Sequence, residues 1–554
     1  MEKYVWADIE RCFFQIENGN NNLHACRVCM NEKQIVCKKG TGKSNLRQHI
    51  LLRHGDTWED TFKTYLGSKS SGLERFATRI ISKEAVSYHK WMRWILDDQL
   101  PFSFVESKHA KNNTNIGAMC RSTLMKYMRR VGILLDEKMS NMLPSKFGII
   151  FDSWTCNGTS EHYTALFATY TQTSSNNVTS VTKLLIACGV QDDPDVGDAE
   201  MGFGADDYGD YIINTLSRLG KSPDNLLFLI GDNCPVNQLL ATKLHIPLIG
   251  CASHRLNLAT KKLYDCNEYK SLIGKINDLA IKLCNLKNSS KLRVVTPLRL
   301  LRMQDTRWGS VYSMLNRFVV IRPHVTAANG FGDDVLALVP SALEDGTLKV
   351  LLEILSQVHK VSMILQREDQ LVSLAHARSF FDKLIIKIPS FAEYLGPDAN
   401  IIHMPIFEKA VIKVQKGNET SLTKDEKTAL LPFRKNVSDI GTSQEETKNN
   451  DDINEFEASY NEINELKKRK IDDFVSKYIS LDNIEPTSNA AERLFSRAKL
   501  YSSDRRKRTT PYHFELLLML WYNKAHWDAS TVEKAINFID PPNFVQADED
   551  EDDA

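Results

Sequence analysis

The sequence predicts a multidomain α+β protein, and three observations lead to this prediction. Residues 1–60 contain paired cysteines and histidines, as a small metal-bound module does. From residue 147, short apolar or alternating runs separated by turn residues indicate strands, with helical patterns between the later runs. Residues 261–434 lose strand character and keep a helical period, which predicts a long all-helical block after the α/β region.

Length and composition restrict the class of protein. A chain of 554 residues is too long for one simple core, so several domains are expected. Lysine plus arginine and aspartate plus glutamate are balanced at 70 each, so contact with nucleic acid would depend on local basic patches. No apolar run reaches the ~18 residues of a membrane span, and the N-terminus lacks the apolar region of a signal peptide. The 11 cysteines favour a reducing compartment, so we expect a soluble intracellular protein without a membrane partner.

The expected elements follow from these periods. Strands are predicted at 147–151, 164–170, 183–189 and 226–230, and helices at 208–219, 236–244, 488–501 and 512–523. The predicted regions are a helical part at 61–145, the α/β part at 146–260, a polar flexible linker at 435–470 and a returning helical part at 471–530. Residues 531–554 are predicted to be an acidic tail, which ends in the run 548–553.

A zinc site is predicted near the N-terminus. Cys26 and Cys29 are separated by two residues, and His49 and His54 follow with four residues between them. Two thiolates and two imidazoles satisfy tetrahedral Zn²⁺, and each close pair forms a local chelate. The histidines are expected on a helix with a loosened final turn, because a spacing of five is slightly wide for one helical face.

The approach to this helix is basic. Between residues 33 and 54 there are six lysines or arginines and no acid. Lys43, Asn45 and Arg47 lead into the helix, so that cations and amides converge near its N-terminus. Because this arrangement suits a phosphate backbone or a base edge, we predict that these three residues contact DNA.

Two aspartates directly follow apolar strands. Asp152 ends the strand predicted at 147–151, and Asp232 follows the strand predicted at 226–230. In an α/β sheet, the carboxyl ends of the strands face the crevice where ligands bind. Two carboxylates there repel each other unless a cation separates them, and Mg²⁺ can supply that charge. Either aspartate alone is more often a turn or helix-cap residue.

A third acid lies near the C-terminus. Ser488 and Asn489 are good N-cap residues before strong helix sequence, so Glu492 is expected in the first turn of a helix. The helix dipole stabilises an ionised acid there, and this alone would account for an isolated glutamate. Together with Asp152 and Asp232, however, Glu492 completes a set of acids that could hold the two metal ions of a phosphoryl-transfer site.

Five motifs occur along the chain in one order. They are Asp-Ser-Trp at 152–154, Gly-Asp-Asn at 231–233, Cys-Ala-Ser-His-Arg-Leu-Asn-Leu at 251–258, Asp-Thr-Arg-Trp at 305–308 and Ser-Asn-Ala-Ala-Glu-Arg-Leu-Phe-Ser at 488–496. This series resembles the hAT-superfamily DNA transposases and spans nearly the whole chain. One departure is Gly231, which stands where the family often has threonine. The first 55 residues or so resemble a BED-type zinc finger, which is a DNA-binding module.

The resemblance implies a fold and an activity. It implies an RNase H-like α/β core that is interrupted by the all-α insertion at 261–434 and completed at 471–530, where a dimerisation segment is also implied. Asp152, Asp232 and Glu492 match the family's acidic triad and would bind Mg²⁺ or Mn²⁺. The implied activity is cut-and-paste transposition, in which the protein binds double-stranded DNA at the element ends and at the target. It would cleave strands, form hairpins on the flanking DNA and transfer strands, acting as a homodimer or a larger homo-oligomer.

The resemblance also implies further DNA contacts. Cys251 and His254 match the family's Cys-x2-His motif, for which we expect a packed cysteine and a histidine that faces DNA or supports the catalytic site. Trp308 matches a tryptophan that stacks on an extruded base, with Arg307 on the backbone. The basic run 282–302 fits such a surface. Burial in a core is the alternative for Trp308.

Two other functions remain open from the sequence. The first is a domesticated, non-catalytic DNA-binding transcriptional regulator on the same scaffold, although all three acids are retained. The second is a protein-interaction role, because the run 515–527 is apolar enough either for a subunit contact or for burial in the chain's own core. Basic runs at 467–470 and 504–508 are consistent with import into the nucleus, where we expect the protein.

Overall fold

The protein is mostly helical, with a small antiparallel sheet near the N-terminus and a mixed five-stranded sheet. The computed structural model describes residues 9, 12–16, 23–26, 28–29, 34–36, 44–55, 58–59, 61–62, 81–156, 160–173, 179–191, 204–264, 266–304, 308–368, 370–435, 455–471, 476–501 and 509–538. Two compact units divide the chain. Unit 1 comprises Met1–Ile95, Phe102–Val131 and Trp527–Ala554, and unit 2 comprises Leu96–Pro101 and Gly132–His526.

Unit 1 contains the predicted zinc module. Its three antiparallel strands are followed by a helix: β1 (Phe14–Ile16), β2 (Leu23–Cys26), β3 (Gln34–Val36) and α1 (Ser44–Arg53). Leu46 and Ile50, four residues apart, lie on one face of α1 and are fully buried with Phe13. This core is very small, so a bound metal would contribute substantially to the stability of the module.

The other helices of unit 1 come from both ends of the chain. They are the first part of α2 (Lys83–Asp97), the 3₁₀ turn Phe102–Glu106, α3 (Lys108–Asn112), the first half of α4 (Arg121–Met142) and α20 (Ala529–Ile536). Glu533 of α20 accepts a hydrogen bond from the Ser82 backbone N–H at 2.9 Å, and Arg130 donates to the Ala535 carbonyl at 3.1 Å. The prediction of a tail at 531–554 is therefore wrong at its start, where the residues belong to α20 and contact the rest of unit 1. The acidic run 548–553 lies outside the described residues.

A five-stranded sheet forms the α/β part of unit 2. Its strands are β4 (Phe147–Thr155), β5 (His162–Thr173), β6 (Thr179–Val190), β7 (Leu226–Gly231) and β8 (Leu248–Gly250), in the order β6-β5-β4-β7-β8. The pairs β4–β5 and β5–β6 are antiparallel, whereas β4–β7 and β7–β8 are parallel. Parallel neighbours require crossover connections, and α5 (Ala205–Arg218) and α6 (Pro235–Leu244) supply them. The four predicted strands are confirmed, and β8 is an addition to them.

The free edge of β6 is covered by the C-terminal helix α19 (Pro511–Tyr522). Asn523, just after this helix, donates from Nδ2 to the Leu185 carbonyl at 2.8 Å and accepts from the Leu185 N–H at 3.2 Å. Glu515 accepts from the Cys188 N–H at 2.9 Å. The apolar residues Leu516–Leu520 are buried in the chain itself, so burial explains this apolar run.

An all-helical block follows the sheet. Its helices are α7 (Ala252–Tyr264), α8 (Asn267–Leu283), α9 (Leu286–Val295), α10 (Trp308–Ile321), α11 (Asp333–Leu336), α12 (Ala342–Leu365), α13 (Leu374–Lys387), α14 (Ala392–Leu395), α15 (Pro405–Gln415) and α16 (Lys424–Ala429). Short 3₁₀ turns occur in unit 2 at Pro223–Asn225, Arg322–His324, Ala327–Asn329, Pro389–Phe391, Glu419–Ser421 and Leu431–Phe433. Residues of α7, α8, α10, α12 and α13 share one apolar core. No helix in the described ranges combines the length and the apolar character needed to cross a membrane.

The chain leaves and re-enters the sheet region at neighbouring points. The Ile479 N–H donates to the Phe433 carbonyl at 2.9 Å, so the exit from the helical block lies beside the return. Between them, part of the predicted flexible linker is the helix α17 (Glu455–Ile471). Phe456 and Tyr460, four residues apart, are buried in the core of the helical block and anchor this helix despite its polar composition. The returning chain then forms α18 (Asn489–Tyr501).

Candidate metal centre and acidic site

The four predicted zinc ligands lie together in unit 1. The separation between Cys26 Sγ and His54 Nε2 is 3.5 Å, and Cys29 Sγ lies 3.6 Å from His49 Nε2 and 3.4 Å from His54 Nε2. Tetrahedral zinc with bonds of about 2.3 Å to sulfur and 2.0–2.1 Å to nitrogen requires sulfur–nitrogen separations of about 3.5 Å. The donor set therefore fits a zinc ion, and the predicted Cys2His2 group is confirmed.

Local structure explains how these ligands converge. Cys26 ends β2 and Cys29 lies in the turn that follows, while His49 lies within α1 and His54 directly follows its last residue. The Phe13 ring packs on His54 with centroids 5.7 Å apart. Burial lowers the pKa of His54, with a further contribution from the charge of Arg53, and this favours the neutral imidazole that metal ligation requires.

Two of the predicted DNA contacts lie on α1. Asn45 and Arg47 are exposed, one on each flank of the buried face that Leu46 and Ile50 form. Lys43 lies outside the described residues. Because residues two apart on a helix point in nearly opposite directions, each of these side chains could meet a phosphate or a base edge from its own side of α1.

Asp152 lies within β4, which continues to Thr155 beyond the predicted end at 151, and Asp232 directly follows β7, the parallel neighbour of β4. Ile150 of β4 is opposite Ile230 of β7. If this register is carried two residues further, Asp152 aligns with Asp232, one strand spacing of about 4.8 Å away at the backbone. Because side chains alternate between the faces of a sheet, both aspartates project on the same face as the two isoleucines.

Asp232 is held in place by the start of α6. Its Oδ1 accepts a hydrogen bond from Asn237 Nδ2 at 2.5 Å and from the Cys234 N–H at 3.4 Å. The N-cap residue of α6 is Cys234 and not Asp232, which was the alternative role for this aspartate. Asp232 instead accepts a hydrogen bond from the N–H of the cap residue. These donors fix the orientation of the carboxylate.

Gly231 lies in close steric contact with the neighbouring strand. A β-carbon at this position would lie 2.9 Å from the ring of Phe151 on the neighbouring strand. Threonine would therefore require this fully buried ring to move. Glycine lets β4 and β7 keep their close packing immediately before the two acids.

Glu492 lies in the first turn of α18, as predicted. This helix packs against β4, and Phe495 contacts Trp154 with ring centroids 5.8 Å apart. Before the helix, the Ala252 N–H donates to the Pro486 carbonyl at 2.7 Å, which ties the returning chain to the start of α7. The third acid is therefore carried by a helix that is fixed to the strand bearing Asp152.

The three carboxylates do not form one tight group. Among the described residues, the zinc ligands are the only set of three or more metal-ligating side chains whose donor atoms all lie within 4.8 Å of one another. Asp152, Asp232 and Glu492 are each half-buried, so all three retain access to solvent.

The Cys-x2-His motif lies at the junction of β8 and α7. Cys251 is buried and accepts a hydrogen bond from the Ser488 N–H at 3.5 Å, which agrees with the expected packing role. Burial raises the pKa of its thiol, and the charge of Glu492 acts in the same direction. His254 is half-buried in the first turn of α7. The motif thus contacts the segment that carries the third acid.

Trp308 lies in the core of the helical block. It is 7% exposed, and its backbone N–H donates to Asn257 Oδ1 at 3.3 Å. Its ring meets His359 edge-on, with centroids 6.3 Å apart. Trp308 therefore lies in a core, which is the alternative that the sequence left open. Stacking of Trp308 on a DNA base stays a prediction, and it would require the indole to become exposed. Arg307 lies outside the described residues.

A polar network beside the acids was not anticipated from the sequence. The Tyr208 hydroxyl lies 3.0 Å from Ser153 Oγ and 3.2 Å from His162 Nε2. Burial raises the pKa of Tyr208, and the charges of Cys234 and Asp232 add to this shift. From the sequence, only Ser153 could have been linked to the acidic site, because it directly follows Asp152. Tyr208 and His162 belong to no sequence motif.

Comparisons with known proteins add little to this geometry. No protein-family model matches the chain, and no curated protein matches it. A weak similarity links it to the solved structure of the Drosophila P element transposase strand transfer complex, with a TM-score of 0.31 and 11% identity, over 84% of this chain and 99% of that chain. A functional assignment therefore depends on the residues of the site.

Proposed function

We propose that the chain is a cut-and-paste DNA transposase of the hAT type with a divalent-metal-dependent, DDE-type active site. One observation carries the proposal: β4 and β7 run parallel with Ile150 opposite Ile230, a register that would align Asp152 with Asp232 if it continued for two more residues. The helix bearing Glu492 packs on β4 at the same strand end. The order of the five motifs along the chain supports the same assignment. In this proposal the five-stranded sheet, with α18 and α19, is the RNase H-like core.

Each acid has a separate support in the proposed site. Asp152 belongs to a central strand, Asp232 is oriented by Asn237, and Glu492 is placed by the packing of α18. The three carboxylates would hold two Mg²⁺ or Mn²⁺ ions, with the remaining ligands coming from water and DNA phosphate. The ions would supply charge stabilisation for the attacking and leaving oxygens of phosphoryl transfer.

DNA recognition would use surfaces outside the acidic site. The exposed Asn45 and Arg47 of α1 would contact the element ends, with the zinc ion holding the module together. His254 would support the acidic site from the first turn of α7. Assembly into a homodimer or a larger oligomer and action in the nucleus belong to the same proposal.

The decisive experiment compares two aspartates at opposite ends of one strand. Asp232 directly follows β7, whereas the exposed Asp224 precedes it. The purified full chain, Asp232→Ala and Asp224→Asn are incubated with Mg²⁺ and DNA that carries the ends of the element. Wild type and Asp224→Asn should give hairpin-ended flanks and joined products, and Asp232→Ala should give neither.

A non-catalytic DNA-binding regulator is the second candidate. The observation that favours it is that the three carboxylates are not gathered within 4.8 Å of one another. Tight binding of the element ends by wild type, without strand cleavage in either Mg²⁺ or Mn²⁺, would support the regulator and reject the transposase.

A further inference from the structure

The first turn of α18 meets the C-terminal end of α12, the longest helix of the helical block. Asn489, which is 4% exposed, donates from Nδ2 to the Leu365 carbonyl at 2.8 Å. Its Oδ1 accepts from Ser253 Oγ at 3.3 Å. One amide therefore links the segment carrying Glu492 to both the start of α7 and the end of α12.

A second contact joins α18 to the residues that directly follow α12. Arg493 Nε lies 2.6 Å from Glu368 Oε1, and Arg493 NH1 lies 3.5 Å from the Gln366 carbonyl. The last carbonyls of an α-helix lack partners within the helix, and its C-terminal end attracts cations. Asn489 and Arg493 together supply both an N–H donor and a positive charge to this end of α12.

The position of Glu492 between these two residues makes the contact relevant to chemistry. Asn489, Glu492 and Arg493 lie within the first five residues of one helix, so tethering two of them fixes the direction of the third. Mg²⁺ demands near-ideal octahedral geometry, so a small rotation of a ligating carboxylate weakens binding. Asparagine is suited to this place because it offers a donor and an acceptor from one short side chain.

We propose that Asn489 is a positioning residue for Glu492 and that it acts through the end of α12. The helical block then supports the acidic site, because the end of α12 helps to fix where the third carboxylate points. This inference rests on the proposed function, since it assumes that Glu492 is a metal ligand.

The test measures metal binding directly. The full chain, with its zinc module loaded, is titrated with Mn²⁺, and free Mn²⁺ is followed by electron paramagnetic resonance. The Glu492→Gln variant shows how much Mn²⁺ binding weakens when the third proposed ligand is removed. Asn489→Ala should weaken Mn²⁺ binding about tenfold, the lower end of the effect of removing groups that orient metal ligands.

Asn483→Ala is the matched control. Asn483 is also a buried asparagine in the returning chain, 6% exposed, and its Nδ2 donates to the Thr169 carbonyl at 3.3 Å. It contacts the sheet instead of the helical block, so its variant should bind Mn²⁺ within about twofold of wild type. Glu368→Lys, which breaks the second contact from the side of the helical block, should weaken binding by about two- to threefold, because the pair is solvent-exposed.

The outcomes separate this inference from the proposed function. Weaker binding in Asn489→Ala but not in Asn483→Ala supports a positioning role. Equal loss in both variants, or binding by Asn489→Ala within about twofold of wild type while Glu492→Gln binds weakly, overturns the inference and leaves the transposase proposal intact. Unchanged Mn²⁺ binding in both Glu492→Gln and Asp232→Ala overturns the metal site itself, and with it both proposals.

Discussion

Trp154 and Phe495 lie with their ring centroids 5.8 Å apart, although 340 residues separate them in the sequence (495 minus 154, less one). Trp154 lies two residues after Asp152 on β4, and Phe495 lies three residues after Glu492 on α18. This aromatic contact joins the two distant parts of the chain that carry the proposed metal ligands. Trp154 also stacks on Tyr163 of β5, at 6.2 Å, which extends the contact into the sheet.

Removal of the Phe495 ring should loosen this junction. Phe495 is 5% exposed, so Phe495→Ala is expected to lower the free energy of unfolding of unit 2 by about 3–5 kcal/mol through lost burial and a new cavity. Urea denaturation followed by tryptophan fluorescence measures this change. Leu500→Ala on the same helix is the control, because Leu500 is 56% exposed and its removal should cost less than about 0.5 kcal/mol. Similar losses in the two variants would contradict the packing role.

Zinc binding should depend on His54 and not on His24. His54→Ala removes a member of the ligand set, so the protein should lose its zinc and the module should unfold. His24 is also buried, at 2% exposure, but it does not belong to the set, so His24→Ala should retain one zinc ion per chain. Metal analysis of the purified variants gives the stoichiometry. Zinc retained by His54→Ala, or lost from His24→Ala, would show that the ligand set is wrong.

Cys120 should be an unusually reactive thiol. Hydrogen bonds from the Ser122 and Thr123 hydroxyls, at 3.2 and 2.9 Å from Sγ, lower the pKa of the exposed Cys120 thiol to about 7. The rate of its alkylation by iodoacetamide should therefore rise as the pH increases through about 7 and then level off, since the thiolate is the nucleophile. Peptide mapping by mass spectrometry follows this residue separately from the other cysteines.

Thr123→Val should shift this profile to higher pH, because it removes one of the two donors that stabilise the thiolate. A profile centred near pH 8.5 in wild type, the value of an unperturbed thiol, would contradict the assignment.

Glu344 should stabilise the start of α12 in a pH-dependent way. It forms a capping box with Ser341 and lies 2.8 Å from Lys275 Nζ. The hydrogen bond from Lys275, followed by that from the Ser341 backbone, lowers the pKa of Glu344 to about 2. Because the carboxylate is partly exposed, Glu344→Ala is expected to cost only about 1 kcal/mol at pH 7.

The sign of the pH effect follows from the lowered pKa. The stabilisation is complete above the unfolded value of 4.5 and is lost as the pH falls toward about 2. The difference in urea midpoint between wild type and Glu344→Ala should therefore shrink as the pH falls from about 5 to about 2. This range runs from just above the unfolded pKa to the folded pKa of Glu344. Glu353→Ala, an exposed change on the same helix, should leave the midpoint nearly unchanged at every pH. A difference that is constant with pH would argue against the charged interaction.

The parts of the structure with strong local signals could be predicted from the sequence. The zinc ligands were predictable because their spacing is a chelate pattern, and the strands around Ile150 and Ile230 because buried strands form continuous apolar runs. The first-turn position of Glu492 followed from helix propensity and capping. Sequence could also place Asp232 directly after a strand, but β4 continues past Asp152 to Thr155, and only the order of the sheet makes the two strands neighbours.

Other features depend on contacts between distant residues. The strand β8 has only three residues, too few for a period to be visible. In α17, Phe456 and Tyr460 were hidden among polar residues, and their burial depends on a core formed by helices elsewhere in the chain. Trp308 could be assigned equally to a core or to a DNA surface, because an amphipathic ring suits both. In each case tertiary packing decided the outcome, not local sequence.

The hydrogen bonds between Asn523 and Leu185 have a consequence for synthesis of the protein. These residues are 338 positions apart, so Asn523 cannot cover the edge of β6 until the ribosome has added 338 residues after Leu185. At translation rates of about 5–20 residues per second, this interval lasts roughly 17–70 s. During that time the nascent chain carries a strand edge that Asn523 has not yet covered, and Glu492 is added only late in the interval. The segment 489–523 therefore delays both completion of the sheet and acquisition of the third acid.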